Sequence, residues 1–239
     1  MSSNTKVIAA TSDIHGMLDG LEAELKALPR VDYLVIAGDI HPCLIHINTT
    51  NWFEHVFFPF VEQLGIPVVA TPGNHDFYLN DYLSNSLPNG SKKLPSNFHL
   101  LVDKMEQIDG LTFYGTPWVS WINGKWCFEA SSAAQKYLFS TIPYGVDVLI
   151  SHTPPLIKHE HIDISIERPK DYWRHFGSKE LTEAIKLKKP RYCFCGHIHS
   201  GDHKELVLSH EDGTETKMYN VSRVSEKYTV TYDMTVVNV

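Results

Sequence analysis

The sequence predicts an α/β fold: a four-layer αββα sandwich, with two mixed β-sheets face to face and helices outside. Two observations carry this. Short apolar strand-like runs alternate with helix-periodic stretches through the first half, which implies parallel βαβ units. The stretch from Met218 to Val237 is instead rich in β-forming runs. No repeat, low-complexity tract or linker interrupts the chain, so residues 1–239 are expected as a single domain. With 239 residues and 43% hydrophobic content, the chain can bury one large core.

The elements follow in order. Lys6 to Thr11 is a strand-like run that ends at Ser12-Asp13. Leu18, Leu21, Leu25 and Leu28 share one helical face, and Pro29 stops that helix. Asp32 to Ala37 is a second buried strand. Asn51 to Leu64 reads as an apolar-faced helix with an irregularity at Pro59. Pro67 to Thr71 is a third strand. Tyr78 to Asn97, dominated by Asn, Ser, Pro and Gly, is expected to be a surface loop. Strands are expected at His99–Val102, Met105–Ile108 and Leu111–Tyr114, with Asp109-Gly110 as a hairpin turn. Ser131 to Phe139 is helical and Asp147 to Ser151 a buried strand. Ser178 to Leu187 is a helix with Ser178 as its N-cap, and Arg191 to Cys195 is a strand.

Composition narrows the function. Lys and Arg total 21 against 28 Asp and Glu, a net charge of −7. That balance argues against non-specific duplex binding, which needs many phosphate-neutralising cations. It leaves room for a small phosphoester substrate, because bound metals would be the largest local charges in the site. The four cysteines, Cys43, Cys127, Cys193 and Cys195, form no C-x-x-C pair. Cys193 and Cys195, two apart in an apolar run, face one side of a strand as reduced core thiols. No signal-peptide pattern precedes Val7, and no apolar run approaches membrane-spanning length, so a cytoplasmic location is expected. Of the fourteen histidines, His46, His55, His99, His203 and His210 lack chemical neighbours in sequence and read as solvated or core residues.

The chemistry lies in five segments: Asp13-Ile14-His15, Gly38-Asp39, Gly73-Asn74-His75-Asp76, Ser151-His152-Thr153 and Gly196-His197-Ile198-His199. Each follows an apolar strand run, and ligands of open α/β sheets bind beyond the carboxyl ends of strands. Dispersed segments can therefore converge on one crevice. Carboxylate, imidazole and side-chain carbonyl donors without thiolate suit Mn, Fe, Zn or Ni, with manganese favoured. Two adjacent divalent ions clamp the attacking and leaving oxygens of an in-line displacement at phosphorus. The reading is a metal-dependent phosphoesterase.

The order D-x-H, G-D, G-N-H-D, S-H and G-H-x-H resembles the calcineurin-like metallophosphoesterase superfamily from Asp13 to His199. Tyr114-Gly115-Thr116-Pro117-Trp118, Ser151 to Pro155, Gly177 to Leu181 and Tyr219 to Ser222 are similar to its class III phosphodiesterase branch, which includes the metallophosphoesterase-domain proteins. The resemblance implies that Asp13, His15 and His199 hold one metal. Asn74, His152 and His197 hold the second, and Asp39 bridges both. A hydroxide between the ions attacks phosphorus, and His75 protonates the leaving oxygen or stabilises charge on it.

One departure matters. Phosphoprotein-phosphatase relatives carry G-D-x-x-D-R-G, whereas this chain has Pro42 and Cys43 in place of that Asp and Arg. The Arg fork is a strong bidentate phosphate clamp, so its absence disfavours protein phosphatase activity and favours diesters, and the class III resemblance implies cyclic nucleotides among them. It also leaves His75 without an identified orienting partner. Trp118, Trp121 and Trp126 either stack a nucleotide base, with Trp118 as a substrate contact, or pack in the core. Pro154 to Phe176, with Arg168 and Arg174, is either a solvated loop or a substrate-selecting lid. The alternatives within the enzyme class are a phosphomonoesterase and a nuclease. Outside it stands a non-catalytic metal-binding scaffold, against which the intact ligand set argues.

Overall fold

The computed structural model describes residues 5–42, 49–88, 91, 93–157, 162–167 and 174–239. The strands are β1 (Val7–Thr11), β2 (Tyr33–Ala37), β3 (Val68–Thr71), β4 (Phe98–Leu100), β5 (Lys104–Ile108), β6 (Leu111–Thr116), β7 (Val119–Ser120), β8 (Glu129–Ala130), β9 (Val148–Ser151), β10 (Ile166–Glu167), β11 (Arg174–His175), β12 (Tyr192–Cys195), β13 (Leu206–Ser209), β14 (Glu215–Asn220) and β15 (Thr235–Asn238). One sheet has the order β15-β1-β2-β3-β4 and the other β13-β14-β12-β9-β6-β5. The interior pairs β1–β2, β2–β3, β6–β9, β9–β12 and β12–β14 are parallel, while β15, β13 and β5 join antiparallel at edges.

Period-2 side-chain alternation sorts the core into layers. Ile8, Ala10, Tyr33, Val35 and Val69 meet Phe113, Val148, Ile150 and Phe194 between the two sheets. The opposite face of the first sheet, including Ala9, Leu34, Ile36 and Ala70, packs under α1 (Leu18–Ala27) and the Thr49–Leu64 helix. The outer face of the second sheet, including Leu149, Cys193, Cys195 and Met218, packs under α5 (Ser132–Ser140) and α6 (Lys179–Lys188). This is the αββα arrangement expected from the sequence, with Cys193 and Cys195 on one side of β12.

The local signals held where backbone chemistry was specific. Asp109 and Gly110 both take left-handed backbone (φ 47° and 91°), as a two-residue type I′ hairpin between β5 and β6 requires. Ser178 Oγ accepts the Leu181 N–H at 3.2 Å and caps α6. The irregularity expected at Pro59 is a π-helical turn: α2 (Thr49–Trp52) runs into Phe53–Phe57 and then α3 (Phe58–Leu64). Pro59 has no N–H and its ring crowds the carbonyl four residues back. The wider turn absorbs this, with the Phe58 N–H bonded to the Phe53 carbonyl.

One expectation is corrected, and one edge strand was not foreseen. The stretch expected as loop from Tyr78 begins with helix α4 (Phe77–Leu83). Its polar Asn80 and Asp81 mask an apolar face, and the Tyr78 ring stacks on Phe53 at 4.8 Å, so burial overrides local composition. Strand β13 has no counterpart in the sequence reading; its residues gain order by pairing with β14. Among the described residues no helix is long and apolar enough to cross a membrane.

Candidate metal centre

The five chemistry-bearing segments leave the C-terminal ends of parallel strands on one rim of the sandwich. Asp13 and His15 follow β1, Asp39 follows β2, and Asn74 and His75 follow β3. His152 follows β9, and His197 and His199 follow β12, so the second sheet supplies the other half. A parallel bridge between Ser12 and Ser222 joins the sheets at this rim. The Ser12 N–H donates to Val221 O (2.8 Å), and the Ser222 hydroxyl donates to Asp13 Oδ2 (2.7 Å).

Two side-chain groups are arranged to hold a metal ion: Asp13, His15 and His199, and Asp39, His152 and His197. Within each group the donor atoms lie within 4.8 Å of one another. Asp39 connects them. Its Oδ2 lies 3.9 Å from His15 Nε2 and 3.4 Å from His152 Nε2, so a single oxygen faces imidazoles of both groups. Asn74 Oδ1 lies 3.0 Å from His152 Nε2, on the second group. His75 brings its Nε2 to 3.9 Å from Asp39 Oδ2, and its backbone N–H donates to Asp39 Oδ1 at 2.8 Å.

The surrounding backbone sets the imidazole tautomers. Nδ1 of His15, His152 and His199 faces the carbonyls of His41 (3.3 Å), Ala37 (2.8 Å) and Ser225 (3.2 Å). A carbonyl only accepts, so each Nδ1 carries a proton and each Nε2 faces inward as the nitrogen a metal would bind, His152 and His199 once they give up their Nε2 protons. Asp13, His15, Asp39 and His197 all sit at left-handed φ of 52°, 45°, 51° and 68°. Such strain persists where surrounding structure over-determines it, and it gathers at functional sites. Two glycines permit the close packing: a Cβ on Gly73 would strike the Asp39 carboxylate, and one on Gly196 would strike Ser12 and Asp13.

Charge is balanced within the cluster. Burial pushes the Asp39 carboxyl up, but the positive fields of His152 and His75 and the His152 hydrogen bond overcome this and hold it well below the usual range. Asp13 is likewise held low against burial, chiefly by His199. In return, the carboxylates raise His152 and His199 to about 9 despite their burial. Burial drives His197 down to about 4 and lowers His15 as well. Carboxylate, imidazole and amide donors with fixed tautomers fit borderline divalent ions. Asp13, His15 and His199 would hold one and Asp39, His152 and His197 another.

Two residues at the site, Asp76 and Tyr228, were given no role from sequence. Asp76 closes the G-N-H-D segment, yet it points away from the ligand atoms: its carboxylate accepts the N–H groups of Ile40 (2.9 Å), His41 (2.9 Å) and Gly73 (2.8 Å). Burial and the nearby Asp39 charge push it up to about 7. Tyr228, itself at a left-handed φ of 55°, sets its ring edge-on to His15 (4.9 Å) and His199 (5.5 Å). Trp126 lies against His75, with ring centroids 4.4 Å apart. Trp118 donates its indole N–H to Asp103 (2.6 Å) and packs beside the α5/α6 layer, while Trp121 is exposed. Cys43, Arg168, His46 and the Arg174 side chain lie outside the described residues. In the described part of 154–176, Ile164 and Ser165 are buried and His175 Nδ1 lies 2.5 Å from Asp163 Oδ2, while Phe176 is exposed.

An αββα sandwich with paired carboxylate–imidazole groups on one rim defines the metallophosphoesterase class. The profile described as calcineurin-like phosphoesterase matches residues 6–201, and the chain belongs to that family. It is 29% identical over 213 residues to a UPF0046 protein of Caenorhabditis elegans, covering 78% of this chain and 50% of that protein. It is 27% identical over 211 residues to the human metallophosphoesterase domain-containing protein 1, covering 80% of this chain and 59% of that one. The chain thus spans between half and three fifths of these curated relatives. One crystal structure, at 18% identity and a TM-score of 0.62, aligns over 90% of both chains and shares the fold.

Proposed function

We propose that the chain hydrolyses phosphodiesters of small nucleotide-like molecules, cyclic nucleotides among them. The observation that carries the reading is Asp39 Oδ2, a single oxygen facing imidazoles of both groups. Two divalent cations held there, manganese by preference, would balance charge on the phosphoryl oxygens and bring the pKa of water towards neutrality. Asp39 serves both sites; Asp13, His15 and His199 complete one, and Asn74, His152 and His197 the other. His75, with a side chain 18% exposed, faces the ester and donates a proton to the leaving oxygen. Cys43 in place of an arginine clamp supports the diester preference, because a monoester dianion gains more from such a clamp than a diester monoanion.

The test is kcat/KM of Mn²⁺-reconstituted protein for bis-p-nitrophenyl phosphate against p-nitrophenyl phosphate, followed by 2′,3′- and 3′,5′-cyclic nucleotides. The diester is expected to be preferred. A monoester preference of about tenfold, equal to ~1.4 kcal/mol of transition-state binding, overturns the substrate class.

A further inference from the structure

We propose that Trp126 is the positioning residue of His75, and that the Glu129 carboxylate is what holds Trp126 in place. The inference rests on the phosphoesterase reading above and concerns how its proton donor is oriented.

The His75 imidazole is held on two sides. One is the edge of His15, with ring centroids 5.1 Å apart and planes at 84°. The other is the Trp126 indole, 4.4 Å away at 42°. The His75 backbone is fixed by its N–H bond to Asp39 Oδ1, but a backbone bond does not set the side-chain torsions. Two ring contacts do, because an imidazole between them cannot swing without losing both.

Trp126 packs on Phe77 (6.2 Å) beside the buried Cys127, but the rest of its loop is solvated. Trp121 and Ile122 at the loop tip are 63% and 46% exposed. Glu129 holds that solvated part. Its Oε2 accepts the N–H groups of Ile122 (3.0 Å), Asn123 (3.1 Å) and Gly124 (2.7 Å), and its Oε1 accepts that of Trp126 (3.0 Å). One carboxylate thereby gathers four backbone donors of the loop, and charge-assisted bonds of this type are the strong ones. The adjacent Cys127 N–H donates to Asn74 O (3.2 Å), which ties the loop to the residue before His75. The chain of contacts runs from Glu129 through the loop backbone to Trp126 and then to His75.

The experiment uses the full metal-loaded chain as wild type, Trp126→Leu, Trp126→Phe, Glu129→Gln, His75→Ala and the Trp126→Leu/His75→Ala double variant. Each is assayed on bis-p-nitrophenyl phosphate and on diphenyl phosphate, whose leaving group needs protonation more. Trp126→Leu is expected to lower kcat for diphenyl phosphate about tenfold, within the ~10²–10⁴-fold that a positioned acid contributes. The loss should be smaller for the nitrophenyl ester, with KM and bound metal unchanged. Trp126→Phe should restore most of it, and Glu129→Gln should shift kcat in the same direction as Trp126→Leu. In the His75→Ala background Trp126→Leu should add nothing. A Trp126→Leu loss that persists without His75, or that appears in KM, overturns the proposal and makes the indole a substrate platform. A second readout does not depend on turnover. The His75 ring proton, identified by its disappearance in His75→Ala, should carry an indole ring-current shift that is lost in Trp126→Leu. An unmoved His75 signal overturns the proposal even in a protein that hydrolyses none of these esters, whereas a moved one in an inactive protein refutes only the phosphoesterase reading.

Discussion

Asp39 is the residue on which the centre turns. Oδ1 anchors the His75 backbone and Oδ2 looks onto both ligand groups, so one side chain sets the main chain and the charge together. Asn is nearly isosteric and keeps an oxygen for the His75 N–H, so Asp39→Asn should fold. It removes the anionic charge from both groups at once. Metal analysis after dialysis should show both ions depleted in Asp39→Asn, whereas Asn74→Ala, which touches only the His152 group, should deplete one. A fully retained ion in Asp39→Asn would break the shared-ligand assignment. The side chains gathered at the rim were legible in sequence because each stands directly after an apolar run, where chain order alone gives its place. The neighbours Trp126 and Tyr228 were not legible in that way. Their contacts with His75 and His15 depend on where long connections return, and no local pattern encodes that.

At the scale of elements, the interior strands were readable because parallel strands buried on both faces form unbroken apolar runs. Helix α4 was hidden because Asn80, Asp81 and the Asn, Ser, Pro and Gly that follow it give the stretch a loop composition, while the burial that orders it comes from Tyr78 stacking on Phe53. Edge strand β13 was hidden because half of it is solvated and its order comes from β14. Ser178 was readable, since a cap is a local signal, but its second role was not. Its hydroxyl, besides accepting the Leu181 N–H, donates to Gln135 Oε1 (2.9 Å), and Gln135 is buried in α5. Ser178→Ala therefore removes a cap and a bond between two helices together. Loss of a cap costs ~0.5–2 kcal/mol, and the buried amide left unpaired places this variant in the upper half of that range. Urea unfolding should show a lower midpoint with an unchanged slope. A midpoint equal to wild type would mean that water replaces both bonds at no cost.

For the whole molecule, the centre is a seam. Asp13, His15, Asp39 and Asn74 come from the first sheet and His152, His197 and His199 from the second, so whatever balances the carboxylates also holds the two sheets together. Without metal, protons on His152 and His199 do this, with both imidazoles held up to about 9 against an ordinary 6.5. A folded-state pKa above the unfolded one gives stability that is complete below pH 6.5 and is lost as pH rises through 9. Asp76, raised to about 7 from 3.8, acts with the same sign and has faded by about pH 7. His197, held down to about 4, has the opposite sign, as does His15, but their window closes at 6.5. The Tm of chelator-treated protein should therefore fall steadily from pH 6.5 to 9. Metal ions need the lone pairs that those protons occupy, so binding near pH 7 should expel protons. Titration calorimetry in two buffers of different ionisation enthalpy would measure that release. Once loaded, the protein binds cations in place of protons, and its Tm should be higher and nearly level across the same range. A metal-free Tm already level from pH 6.5 to 9 would mean that His152 and His199 are neutral in the folded protein, leaving the paired carboxylates to repel across the seam until metal arrives.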